Sequence, residues 1–207
     1  MKEAPKFDSV LLVILQKPGI WQKLLIGGLL SFIPVINLLA FGYLMRVCRE
    51  CRRQGVVLLP EWTDWKDLFR DGLRFALVWL FYWLLPIYAV FLLGGLLELV
   101  GFGLLRPALQ IAGLIAGSVL LCAGLYRFQR HATLRENVQD LLEVFLILRM
   151  ARGLFPSVLV AVLAAVGLAA IFWPFFGLAF FFSLLPLIVY STLYFRWIEE
   201  AAVGRVL

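Results

Sequence analysis

The sequence predicts an all-α, polytopic helical membrane protein, with an N-terminal membrane hairpin, four spanning helices and cytosolic or interfacial amphipathic helices. Three observations predict it. Of 207 residues, 63% are hydrophobic and only 15% charged, whereas a soluble domain is near half apolar and a quarter charged. The apolar residues form long uncharged runs, and the cations gather at the flanks of those runs. Lipid offers the backbone no hydrogen-bond partners, so only helices or closed barrels span it. These runs lack the polar–apolar alternation of barrel strands, which leaves helices.

Phe7 to Gln16 (7–16) is apolar but too short to span, and it ends in Lys17-Pro18-Gly19 with Trp21 just beyond. It reads as an amphipathic helix lying in the interface. Its brevity and the absence of a small-residue cleavage site argue against a cleaved signal peptide. The apolar run that follows is flanked by Lys17 and Lys23 on one side and by Arg46, Arg49, Arg52 and Arg53 on the other. One crossing would strand one of these basic groups on the outer face. A membrane hairpin over 18–53, turning at Pro34 to Asn37, returns both to the cytoplasm. Its arms would each be roughly 24–26 Å long at about 1.5 Å per residue.

The segment 55–74 reads as interfacial. Pro60 breaks what precedes it, Asp64 and Asp67 suit an N-cap and a first-turn acid, and Trp62 and Trp65 belong at headgroup level. A span over 75–97 follows, with Pro86 predicting a kink. The loop Glu98 to Arg106 leads to a Gly- and Ala-rich span over 107–126. There Gly113-x-x-x-Gly117 beside Ala112-x-x-x-Ala116 predicts close helix packing. An amphipathic cytosolic helix is expected over 127–152, carrying Arg130, Arg135, Glu136, Asp140, Glu143 and Arg149 on its polar face. Leu154 to Phe195 holds no charge and is long enough for two spans, 154–173 and 175–195, turning at Trp173-Pro174. The whole chain forms one membrane domain.

The charges fix an orientation. With both termini in the cytoplasm, only Arg106 of the 19 Lys and Arg, and only Glu98 of the 13 Asp and Glu, fall outside. The net charge of +6 is then a positive-inside bias, and no nucleic-acid partner is implied.

Candidate chemistry is sparse. Cys48-x-x-Cys51 has metal-ligand spacing, but a structural zinc site needs four ligands, and the chain has one His and one further Cys. Neither a metal nor a cofactor is expected, and the three cysteines are expected to be reduced. His131 sits among Arg127, Arg130 and Arg135, with no nucleophile or orienting acid signalled beside it. Glu61, Asp64, Asp67 and Asp71 form the densest acidic group, but Lys66, Arg70 and Arg74 interleave with them as on a salt-bridged face. The predicted spans hold no Asp, Glu, Lys, Arg or His, unlike ion-coupled transporters and pumps. Their polar residues, among them Asn37, Gln110, Ser118, Ser183 and Thr192, suit bonds between helices better than a pathway.

Trp21-x-x-x-Leu25-x-Gly27-Gly28, then Pro34, then Gly42-Tyr43-Leu44-x-Arg46-Val47-x-Arg49 carry a resemblance. So does Leu59-Pro60-Glu61-Trp62-x-Asp64-Trp65-x-x-Leu68-Phe69-x-Asp71-Gly72. Together they resemble the prokaryotic integral membrane proteins grouped as domain of unknown function 4013. The Leu-Pro-Glu-Trp-x-Asp-Trp run is the most specific part. The resemblance covers roughly residues 20 to 200 and is sharp in the first third. It implies a membrane protein of the prokaryotic cytoplasmic membrane and brings no activity and no site residues.

The expected function is therefore a non-enzymatic membrane scaffold or assembly protein. Its partners would be anionic lipid headgroups and either further copies of itself or another membrane protein. The alternative is a pore or passive transporter for ions, small solutes or lipid, with Pro34 and Asn37 lining or gating the path.

Overall fold

The structure is a computed structural model that describes residues 4–129, 137, 139, 142–171 and 176–203, the side chains of 155–158, 160, 161, 164–171, 176, 202 and 203 excepted. It is all-α, with seven helices among the described residues: α1 (Phe7–Leu15), α2 (Ile20–Leu30), α3 (Asn37–Gln54), α4 (Trp65–Leu99), α5 (Arg106–Phe128), α6 (Val144–Ile171) and α7 (Phe176–Val203). Three stretches are long and apolar enough to cross a membrane: Trp65–Leu99, Gly103–Phe128 and Gly177–Ala201. The pair α1 and α2 would make a fourth if taken together, but they meet at a 98° bend. That bend falls on Lys17-Pro18-Gly19. Proline cannot continue the helix, and Gly19 takes a left-handed φ of 70°.

The chain forms two compact units, Met1–Ala76 with Pro156–Leu207, and Leu77–Phe155. In the first unit α7 is the hub, packing against α1, α2 and α3. Phe7 meets Tyr190 edge to face with ring centroids 5.6 Å apart. The α2–α7 approach depends on small residues. A Cβ on Gly27 would overlap the Phe181 ring, and one on Gly28 would overlap Leu178. Helices α2 and α3 pack as a hairpin whose turn holds Ser31 to Ile36, where Val35 has a φ of 71°. Pro34 stands in that turn and is exposed, while Asn37 opens α3 and is half-buried.

In the second unit the α4 residues from Leu77 onward pack against α5. Gly113 and Gly117 lie on this contact: a Cβ on Gly113 would come 2.9 Å from Val90, and one on Gly117 would come 3.6 Å from Ile87 and Trp83. The glycine strip therefore faces a helix of its own chain.

The span expected over 75–97 lies within a helix that starts at Trp65, directly after the cap expected at Asp64. The change from polar to apolar side chains near Arg74 leaves the backbone hydrogen bonds unaffected. Before Pro86, where a kink is expected, a π-helical turn occupies Leu80–Leu84. Proline lacks an N–H and its ring crowds the carbonyl four residues back, here Tyr82, so the wider turn relieves both. Finally, the helix expected over 127–152 is divided. Helix α5 runs on to Phe128, and Val144 opens α6, which continues through the expected boundary at Arg152. The expected span 154–173 falls on α6 and runs beyond it. His131, Arg130, Arg135, Glu136, Asp140 and the Trp173-Pro174 turn lie outside the described residues.

Candidate functional site

The densest polar construction among the described residues surrounds the strap from Gly55 to Asp64, which joins α3 to α4 without regular structure. Such a segment has no ladder of its own to satisfy its carbonyls, so each buried one needs a partner from elsewhere. Side chains of α2 and α3 supply them. Lys23 Nζ donates to the Leu59 carbonyl at 2.7 Å, Tyr43 hydroxyl to Pro60 at 3.0 Å, and Arg46 Nη1 to Thr63 at 2.9 Å. The Cys51 thiol donates to Leu58 O at 3.7 Å and accepts from Leu58 N at 3.5 Å. Pro60 has no N–H to leave orphaned, which suits its place in the strap.

Both ends of the strap are set by left-handed residues. Gly55, with a φ of 71°, caps α3 through its N–H to Cys51 O at 2.9 Å. Arg196 of α7 lies across this end and donates to Arg52 O, a cation placed at the negative pole of a helix. Asp64, with a φ of 58°, accepts the first bond of α4 from Leu68 N at 2.9 Å. It occupies the cap position expected of it, in a conformation that Asp tolerates better than most residues.

Trp62 anchors the middle. Its ring stacks on Tyr43 with centroids 4.1 Å apart and planes 11° apart, and Phe181 of α7 closes the group at 6.2 Å. Trp65 stands 49% exposed at the start of α4. The two tryptophans expected together lie together: their rings stack with centroids 6.1 Å apart, Trp62 half-buried and Trp65 exposed.

The acidic residues do not converge. Glu61 pairs with Lys23 at 2.7 Å, Asp67 with Arg70 at 3.1 Å, and Asp71 with both Arg49 at 2.8 Å and Arg74 at 3.2 Å. Asp64 makes no ion pair among the described residues. Cys48 and Cys51 are buried, and Cys48 Sγ lies 3.1 Å from the Thr192 hydroxyl. No group of three or more His, Cys, Asp or Glu among the described residues is placed to hold a metal. Lys23, Tyr43, Arg46 and Cys51 thus bond the strap from the helices beneath it.

Sequence reading found Pro60, Glu61, Trp62, Asp64 and Trp65 but missed the residues that hold them. Lys23, Tyr43 and Arg46 lie 17 to 36 positions away from their carbonyl partners. The available signal was Lys23 at the edge of the apolar run that starts at Leu24, where burial of an ammonium group calls for a partner.

The model of the family described as "Protein of unknown function (DUF4013)" matches residues 26–173. The match covers more than half of the chain and takes in the whole strap. Neither a curated protein nor a solved structure matches the chain.

Proposed function

The chain belongs to the DUF4013 family of proteins of unknown function, and from that premise we propose that it is a non-enzymatic, homo-oligomeric scaffold or assembly protein of the prokaryotic cytoplasmic membrane. In this reading both termini are cytoplasmic, the hairpin over 18–53 enters the bilayer, and the stretches 75–97, 107–126, 154–173 and 175–195 cross it. The strap and its supports then form a rigid platform at the cytoplasmic interface.

One observation carries the reading. The Lys, Tyr, Arg and Cys side chains facing the strap hold its backbone carbonyls, so the most specific motif of the chain serves to fix a shape. A catalytic site would instead aim such groups at an open volume. The burial of the spans supports assembly: only 11% of the apolar window of α4 is covered within the chain, against 72% for α7. Helix α4 is the surface available to lipid or a neighbouring copy.

The test is the particle mass of the purified protein in lipid nanodiscs. A multiple of the 23.5 kDa subunit is expected. A lone subunit with no co-purifying membrane protein overturns the scaffold. The hairpin turn exposes Phe32, Ile33 and Val35 beside Pro34, which favours lipid over a water path there. Solute flux through protein-only liposomes, changed by Asn37→Leu, would instead establish the pore.

A further inference from the structure

Asp71 is 3% exposed and bridges two guanidinium groups, Arg49 of α3 through Oδ2 and Arg74 of α4 through Oδ1. One negative charge thus holds two positive ones. Each guanidinium carries five N–H donors, and each meets Asp71 through a single nitrogen. Neither arginine has another partner among the described residues. Both side chains remain about a third exposed, 31% for Arg49 and 32% for Arg74, which leaves them open to a further ligand. One helical turn before Arg49, Arg46 meets the neutral Thr63 carbonyl, and its charge is likewise uncompensated. Lys23, Arg53 and Arg70, by contrast, each have a carboxylate of their own.

A buried carboxylate that fixes two guanidinium planes from different helices preorganises a fork for a tetrahedral anion, which arginine recognises in bidentate fashion. The site lies at the polar end of α4, just before the apolar run that starts at Phe75, with Trp65 exposed on the same helix. Any anion there has acyl-chain depth on one side and water on the other. We propose that Arg49 and Arg74, pinned by Asp71 and aided by Arg46, bind the phosphodiester headgroup of an anionic phospholipid. This rests on the membrane placement given above and goes beyond it by replacing diffuse basic anchoring with one defined site.

The test is native mass spectrometry of the full chain in detergent, titrated with phosphatidylglycerol or phosphatidylcholine, with inorganic phosphate as a competitor. Phosphatidylglycerol is expected to be retained in preference. Arg49→Gln and Arg74→Gln should each weaken its retention by about fivefold or more, the loss expected for one cation at a lipid surface. Arg70→Gln removes an equal charge from an exposed residue paired with Asp67 and should leave retention unchanged. Arg49→Lys keeps the charge beside Asp71 but loses the planar fork, and it too should weaken retention. It serves where a Gln variant fails to fold. Equal retention of the two lipids, or an equal loss in Arg70→Gln, overturns the site. Displacement by inorganic phosphate reassigns it to a free anion and overturns the lipid. The same spectra report subunit number. A monomer that holds the lipid sinks the scaffold alone, whereas an oligomer with no lipid preference sinks the site alone.

Discussion

Gly42 of α3 and Gly72 of α4 pass backbone against backbone. A Cβ on Gly42 would lie 3.0 Å from the Gly72 nitrogen and would overlap the Leu68 carbonyl, and a Cβ on Gly72 would overlap the carbonyl of Leu38. The obstacles are backbone atoms of two helices, which have no rotamer to escape into. Gly42→Ala or Gly72→Ala should therefore cost about 3 kcal/mol or more, at or above the upper end for overpacking. Gly95, whose added Cβ would meet nothing within 4 Å, supplies the control. Gly95→Ala should be neutral or slightly stabilising, since alanine is the better helix former. Thermal unfolding in detergent, followed by circular dichroism, checks the contrast; equal melting of the Gly42 and Gly95 variants would refute it.

Tyr43→Phe keeps the stack on Trp62 and removes only the hydroxyl that satisfies Pro60 O. Leaving that carbonyl unpaired should cost about 1–3 kcal/mol. The effect should be local, because the strap has no ladder to fall back on. Trypsin should cleave faster at Arg53 and Lys66, which flank the strap, while cleavage at sites in the second unit stays unchanged. Unaltered cleavage at both flanks would mean that the hydroxyl does not hold the strap.

Cys48, Cys51 and Cys122 are 1%, 0% and 2% exposed. A thiol so buried is shielded from reagents, whatever its intrinsic reactivity. The native protein in detergent should take up no maleimide, and the denatured protein should take up three equivalents, matching its three cysteines. Labelling of the folded chain at Cys51 would show that the strap opens, since Leu58 covers that sulfur on both its N–H and its carbonyl.

How far the fold was legible follows from the kind of signal each feature sends. The break at Lys17-Pro18-Gly19 and the turn at Pro34 were readable because proline and glycine act on the backbone locally. The long uncharged runs predicted α4, α5 and α7 because lipid imposes composition on whole helices. The start of α4 was readable from Asp64 as a cap, whereas the change in side-chain polarity near Arg74 marks no change in the backbone. The strap's holders were illegible for a different reason: a hydrogen bond from Lys23 to Leu59 leaves no periodicity, only two residues placed in register by the fold. Gly42 and Gly72 stood in the recognised motif, but their role needs both helices in view.

The turn between α4 and α5 exposes its apolar residues beyond an ion pair. Glu98 and Arg106 join across its base, while Leu99, Val100, Phe102 and Leu104 past that pair are 84%, 69%, 59% and 96% exposed. Arg74 to Glu98 spans about 36 Å of helix at the usual rise, somewhat more than the roughly 30 Å hydrocarbon core. The ion pair would thus reach the far interface, and water there would meet a bare apolar tip. Burying each such side chain in lipid is worth about 1.5–3 kcal/mol, so the tip should bend back among the headgroups and acyl ends of the far leaflet. The buried native cysteines make this measurable, because a maleimide fluorophore would attach only to Leu104→Cys. Its emission should be quenched by brominated lipid and spared by aqueous iodide. Quenching by iodide alone would place the tip in water and leave those four side chains to a partner protein.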